Sequence, residues 1–306
     1  MKISIIGSGN VGATAAWQLL QKDFADIAIT DVVAGIAEGK ALDMMHAAAL
    51  LGLKHKISGT SDISQIKNSE IVVITAGLAR KPGMTRLDLL QKNAEIVKGI
   101  CASIKENAPN AIVIVVTNPL DIMTYLAFKT TGFSAKRVFG MAGVLDTARF
   151  KHYASIASNT PPDKIETNVL GSHGDLMLPL LAHTKINNKP LADVLPKEKI
   201  DEIVNKTRNA GAEVVALLQT GSAYYAPASS IAEMAEAIAS DSKKQFPICA
   251  YLNGEYGLSD LCIGVPCILG KSGIEKIAEL QLSAEEKAIF GKCAEEIKQG
   301  IKELNL

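Results

Sequence analysis

The sequence predicts an α/β protein: an N-terminal doubly wound parallel sheet, then a C-terminal α+β domain, with the change near residue 143. Three observations carry this. Apolar strand-like runs alternate with helical segments from residue 2 to about 143. Two of those runs, EIVVIT at 70–75 and AIVIVV at 111–116, are continuous rather than alternating, as strands buried on both faces of a parallel sheet are. Beyond 143 the rhythm breaks into long helices and short scattered strands. A chain of 306 residues is long enough for two domains, and residues 1–143 and 144–306 are assigned to them.

Taken in order, Lys2–Ile6 is a β-branched strand ending in a glycine turn. Residues 11–21, rich in Ala and Leu, read as a helix, and residues 27–30 as a second strand running into Asp31. Residues 35–51 have helical composition, 56–58 form a weak strand, and 87–107 form a long helix between the two continuous apolar strands. In the second half, helices are expected at 144–158, 197–218 and 224–239. Strands are expected near 167–170, 183–186, 246–252 and 262–269. A charged amphipathic helix closes the chain at 283–304, with Ser283 as N-cap and Glu286 three residues on as its capping-box partner. No linker rich in Pro or Gly separates the halves, which are therefore expected to pack together.

Composition excludes several functions. Lys+Arg and Asp+Glu are both 32, so no basic excess points to nucleic acid or to a membrane surface. The longest apolar runs fall far short of the ~20 residues of a membrane span. Gly7 to Asn10 interrupt the apolar start too early for a signal peptide. Five cysteines, an odd set without CxxC spacing, read as buried free thiols in a reducing cytoplasm. The five histidines lack zinc-ligand spacing, so no metal site is expected.

The chemistry-bearing motifs sit where strands end. Gly7, Ser8, Gly9, Asn10, Val11 and Gly12 form a GxGxxG element between a strand and a helix. The first glycine permits the tight turn, the second lets a pyrophosphate approach the backbone, and the third permits close helix–strand packing. The helix N-terminus adds N–H donors and positive dipole. Asp31, about 20 residues on at the end of the second strand, suits an adenosine ribose and would repel a 2′-phosphate, so NAD is favoured over NADP. The competing reading is a plain turn with Asp31 as a helix cap.

Residues 77–86, GLARKPGMTR, follow the EIVVIT strand at the ligand-binding edge of the sheet. They form either an anion-seeking lid or a solvated basic loop. Thr117-Asn118-Pro119 ends the AIVIVV strand at the same edge. Asp146 and Arg149, in LDTAR, share a helix face, a spacing more often found in a surface salt bridge. His173 lies between small residues in GSHGD, and a lone histidine is more often structural than catalytic.

Together, GSGNVG, Asp31, AGLARKPGMTR, TNP, LDTAR and GSHGD, in this order and spacing, resemble the lactate/malate dehydrogenase family. The resemblance spans essentially the whole chain, including TGSAYYAPA at 220–228, and points to the bacterial branch of lactate-dehydrogenase-like malate enzymes. It implies an NAD-binding Rossmann domain over 1–143 and a substrate domain over 144–306. It also implies reversible NAD-dependent oxidation of (S)-malate to oxaloacetate, a place in the tricarboxylic acid cycle, and a homodimer or homotetramer.

In that resemblance His173 is the acid/base and Asp146 its carboxylate partner. Arg149 grips the substrate carboxylate, Arg86 polarises the carbonyl, and Asn118 helps hold the substrate. Arg80 stands where the malate branch pairs the second carboxylate and lactate enzymes carry glutamine. Asn93, Val116 and Thr117 match positions lining the cofactor. Two positions depart from common patterns: Ser172, where malate enzymes often have glycine and lactate enzymes glutamate, and Ala223, where many lactate enzymes have threonine. Two other readings compete: a lactate dehydrogenase of malate ancestry, opposed by Arg80, and a non-catalytic NAD-binding regulator, opposed by the retention of His173, Asp146 and Arg149.

Overall fold

The computed structural model describes residues 1–78 and 84–304. The first half runs β1 (Lys2–Ile6), α1 (Asn10–Gln21), β2 (Asp26–Thr30), α2 (Ile36–Leu51), β3 (Ile57–Thr60), β4 (Ile71–Ile74), α3 (Arg86–Asn107), β5 (Ile112–Val115), α4 (Leu120–Thr131) and β6 (Val138–Gly140). The second half opens with α5 (Gly143–Ser158). It continues through five two-residue strands, β7 (Ile165–Glu166), β8 (Val169–Leu170), β9 (Leu178–Pro179), β10 (Lys185–Ile186) and β11 (Lys189–Pro190). Then come α6 (Leu191–Val194), α7 (Lys197–Leu218), α8 (Tyr225–Ala239), β12 (Gln245–Asn253), β13 (Ser259–Gly270), β14 (Gly273–Ile277) and α9 (Ala284–Lys302).

One sheet dominates. Strands β1 to β6 lie parallel in the order β3-β2-β1-β4-β5-β6. The order reverses between β1 and β4, so the chain leaves these two strands in opposite directions and opens a crevice at their carboxyl ends. The unbroken apolar runs have a direct cause. On β4 and β5, Ile71, Val73, Ile112 and Ile114 face one core with α1 and α2. Val72, Ile74, Val113 and Val115 face a second core, built with α3 and α4. Both faces are buried, so β4 and β5 carry apolar side chains on each; the neighbouring β1 admits Ser4 only with its hydroxyl paired to Ser69.

The sheet does not stop at the expected boundary. β12 continues it antiparallel to β6, pairing Cys249 with Gly140, and β13 and β14 follow. The strands expected near 246–252 and 262–269 thus extend the first sheet. α4 is a helix that the pattern reading passed over. Its Asp121, Met123, Thr124, Tyr125, Leu126 and Ala127 are all buried, so it shows no polar stripe. The expected strand at 183–186 reduces to Lys185–Ile186 after a single 3₁₀ turn. α9 is capped as the sequence predicts, Ser283 Oγ accepting the Glu286 N–H and Glu286 accepting the Ser283 N–H. All five cysteines are free and buried. Among the described residues no helix is long and apolar enough to cross a membrane.

Gly12 tests the glycine turn. A Cβ there would lie 1.9 Å from the Gly7 carbonyl oxygen and 2.7 Å from Thr75 Oγ1, whereas at Gly9 it would meet nothing within 4 Å. Gly→Ala inside a helix ordinarily gains up to ~1 kcal/mol, but a backbone clash of this depth outweighs it. Urea titration should show Gly12→Ala destabilised by about 1–3 kcal/mol or more, with Gly9→Ala close to the unmodified protein.

Candidate active site

The glycine turn opens onto a cleft of about 570 Å³ at the carboxyl edge of the sheet, lined by Gly7, Gly9, Asp31, Ala76, Ile96 and others. Gly9 caps α1 without a side-chain hydrogen bond, and a Cβ built on it would meet nothing within 4 Å, so the helix N-terminus keeps its first N–H groups uncapped beside open space. Asp31 is held in place: its Oδ2 accepts from Ser8 N–H at 2.8 Å and Ser8 Oγ at 2.7 Å, and its Oδ1 from Val33 N–H at 3.1 Å. Partial burial works against the charge, but these bonds and nearby Lys40 outweigh it and hold the carboxyl below its usual range. The site therefore presents a carboxylate beside a helix N-terminus, as an adenosine ribose next to a pyrophosphate requires. Lys40 also donates to the Ser8 carbonyl at 2.5 Å, tying α2 to the turn.

A second cleft of about 460 Å³ shares Thr75, Gly77 and Leu78 with the first, so the two form one groove. Val11, Asn93, Val116, Thr117, Asn118 and His173 line it. Asn93, 1% exposed on α3, knots its walls. Its Oδ1 accepts from Leu78 N–H at 2.8 Å, and its Nδ2 donates to the carbonyls of Asn118 at 2.7 Å and Leu78 at 3.3 Å. Thr117 Oγ1 donates to the Ala76 carbonyl at 2.6 Å.

At the far wall stands the titrating group. His173 Nδ1 bonds Asp146 Oδ2 at 2.8 Å, leaving Nε2 for the cleft. Asp146 Oδ1 accepts from Arg149 at 3.2 Å. Asp146 is 2% exposed, so the pair that the spacing made look like a surface salt bridge lies in the interior. Burial alone would push His173 down. The charge and hydrogen bond of Asp146 overcome it, and the imidazole ends above its ordinary value. Such a group can hold a proton at neutral pH and release it into the cleft.

The structure thus places Gly7, Gly9, Val11, Asp31, Asn93, Val116, Thr117, Asn118 and His173 on the lining of one groove. Ser8, Asn10 and Gly12 belong to the same glycine turn and helix start, and Asp146 and Arg149 stand behind His173 as its bonded partners rather than on the lining. Arg86 is different: it is the first residue of α3, behind the Thr85–Asp88 capping box, and is exposed rather than lining the groove. Arg80 lies outside the described residues. Sequence reading missed Thr75, whose Oγ1 donates to the Gly7 carbonyl at 2.9 Å, as well as Lys40 and Asp121. Thr75 was findable as the last residue of a strand at the ligand edge. Lys40 carried no local signal. Among the described residues no group of three His, Cys, Asp or Glu side chains could hold a metal.

A dinucleotide cradle continuous with a buried acid–base pair serves hydride transfer coupled to proton transfer, and it defines the class: an NAD-dependent oxidoreductase. Comparison with known proteins narrows the class. Residues 1–140 match the lactate/malate dehydrogenase NAD binding domain, and residues 143–305 match the lactate/malate dehydrogenase alpha/beta C-terminal domain. The chain belongs to the lactate/malate dehydrogenase family. It is 48% identical over 305 residues to a malate dehydrogenase of Methanosarcina acetivorans, covering 100% of this chain and 99% of the relative. The crystal structure of Cryptosporidium parvum malate dehydrogenase superposes with a TM-score of 0.96 at 43% identity, covering 99% of this chain and 98% of that one. The lactate dehydrogenase of the same organism, complexed with lactic acid and nicotinamide adenine dinucleotide, also reaches 0.96, at 38% identity with coverage of 99% and 98%. The fold alone does not separate the two substrates.

The Asp146–His173 contact makes a measurable claim. With Asp146 present, the His173 imidazole should titrate above 6.5. In Asp146→Asn the charge is gone and burial prevails, so the midpoint should fall below that value. Imidazole ¹⁵N chemical shifts followed against pH read both, and equal midpoints would show that Asp146 does not control the ring.

Proposed function

We propose that the protein is an NAD-dependent malate dehydrogenase interconverting (S)-malate and oxaloacetate, with His173 and Asp146 as its proton relay. The observation that supports this most is the His173–Asp146–Arg149 cluster, in which one buried carboxylate touches both the histidine and the arginine. In oxidation, neutral His173 takes the hydroxyl proton at Nε2, and Asp146 stabilises the imidazolium that forms. Arg149 holds the substrate carboxylate, and Asn118 orients the substrate from the opposite wall. Arg86, carried on the first turn of α3, is the cation that stabilises negative charge on the carbonyl oxygen. NAD, when bound, accepts the hydride. The glycine turn 7–12 holds its pyrophosphate, Asp31 its adenosine ribose, and Val116, Thr117 and Asn93 the wall near its nicotinamide.

The choice of malate over lactate rests on Arg80, a second guanidinium for the second carboxylate, and is consistent with relatives that bear the malate name. A role in the tricarboxylic acid cycle follows from that reaction and rests on it alone. Five free buried thiols support a cytoplasmic location. The exposed Leu42, Leu50 and Leu51 of α2 support a homodimer or homotetramer.

The Asp31 carboxylate should make kcat/KM for NADH far exceed that for NADPH, and equal values would remove Asp31 as the selector. Arg80 supplies the decisive assay. Truncating one partner of a buried charge pair costs ~2–5 kcal/mol, so Arg80→Gln should lose at least ~10²-fold in kcat/KM for oxaloacetate and gain on pyruvate. Arg80→Lys should fall between, keeping the charge but losing the planar fork. Unchanged oxaloacetate kinetics in Arg80→Gln would show that Arg80 is a solvated loop cation and would remove the main residue that discriminates malate from lactate.

A further inference from the structure

Both walls of the groove meet at Asp121. This residue follows Asn118 by three positions, in the first turn of α4, and its Oδ2 accepts the backbone N–H of His173 at 2.9 Å. One side chain thus joins the turn carrying Asn118 to the peptide of the histidine, across a sequence separation of 52 residues. Asp121 is 6% exposed; its Oδ1 is buried without an N–H or O–H partner, and the weak donor thiol of Cys249 is what faces the carboxyl instead. The groups around it offer little positive charge. The thiol of Cys249 on β12 lies beside it, with Cys262 on β13 behind and Cys293 on α9 nearby. Asp146 on α5 is a like charge, and the guanidinium of Arg149 is already paired with Asp146. The remaining facing cation is His173 itself, when protonated.

We propose that Asp121 is a positioning residue for proton transfer: as an uncharged acid it fixes the peptide of His173, and so its ring, relative to Asn118. The proposal rests on the reading of His173 as the group that moves the proton. The charge state follows from the surroundings. A carboxylate with one oxygen buried and met at most by a thiol is costly, and a neutral carboxyl far less so. Burial pushes the Asp121 carboxyl upward, with a small addition from the charge of Asp146, and outweighs the opposing pull of the His173 N–H, the Cys249 thiol and the His173 charge. Chemistry favours the same state. A second carboxylate beside the ring would deepen its hold on the proton, whereas an uncharged Asp121 leaves that control to Asp146 alone.

The test compares Asp121→Asn, Asp121→Ala and His173→Asn in the full-length protein, with oxaloacetate and NADH in one direction and a pH profile of malate oxidation in the other. Asn mimics the neutral acid and keeps the acceptor, so D121N should stay within about threefold of wild-type kcat, with the acid limb of kcat/KM unmoved. Ala removes the acceptor. Because small misplacements at a reacting centre are costly, D121A should lose about 10- to 100-fold in kcat, with KM little changed and a larger primary isotope effect from deuterated NADH. If D121A fails to fold, Asp121→Leu, of similar volume and also lacking the acceptor, takes its place. Two results would overturn the proposal. One is wild-type kcat in D121A with only a lower Tm, which makes the contact a strut. The other is a D121N limb moved down by about one pH unit, which makes Asp121 ionised. Wild-type turnover in H173N would instead sink the proton-transfer reading beneath it.

Discussion

Burying a carboxylate is costly unless it is paired and hydrogen-bonded, and Asp146, 2% exposed, has a separate partner for each oxygen. Arg149 comes from the next turn of the same helix, so that pairing forms whenever α5 forms. His173 comes from a loop 27 residues on, so that pairing exists only when the second half has folded onto α5. The helix is itself anchored by Leu145, Phe150 and Ala154 in the cores. The ring orientation of the histidine is therefore inherited from hydrophobic packing through one carboxylate. α7 closes over the arginine, where a Cβ on Gly211 would stand 3.5 Å from Arg149 Nη2.

The opposite wall is organised by backbone rather than by charge. Asn93 spends both amide hydrogens on the carbonyls of Leu78 and Asn118. It shapes the groove by holding its walls together, which is a different use from touching a ligand directly. Thr75 and Thr117 work in the same way, their hydroxyls closing onto carbonyls at the strand ends. The carboxyl edge of a parallel sheet leaves such carbonyls unpaired, and short hydroxyl or amide side chains are the economical means of satisfying them. The groove is thus cross-linked by side chains at the ends of β4 and β5.

What the sequence made legible follows from locality. The strands at 70–75 and 111–116 and the glycine turn were readable because each residue in them is chosen by its immediate surroundings: two dry faces, or a backbone approach that a Cβ would block. The α9 cap was readable because a capping box is four residues long. α4 was not, because burial on nearly every side erases the periodic signal, and Thr124, Thr130 and Thr131 dilute its helix propensity. The continuation of the sheet through β12 was hidden because it depends on one pairing between residues more than a hundred positions apart. The site divides the same way. His173, Asp146 and Arg149 stood out through motif order and resemblance. Asp121 and Lys40 act across 52 and 32 residues of chain on backbone atoms that any residue would supply, so nothing local marks them.

The five cysteines carry a consequence of another kind. Each is walled in, and burial raises the thiols of Cys249 and Cys267 well beyond the ordinary range and that of Cys101 to about 12. A native molecule thus denies alkylating reagents and peroxides access to all five, and at Cys101, Cys249 and Cys267 it also disfavours the thiolate. Labelling can proceed only through opening events, and the positions report different ones: Cys101 the α3 layer, Cys249 and Cys262 the junction strands, Cys293 the last helix. The chain contains its own clock of local unfolding, readable residue by residue by mass spectrometry without introducing a single probe.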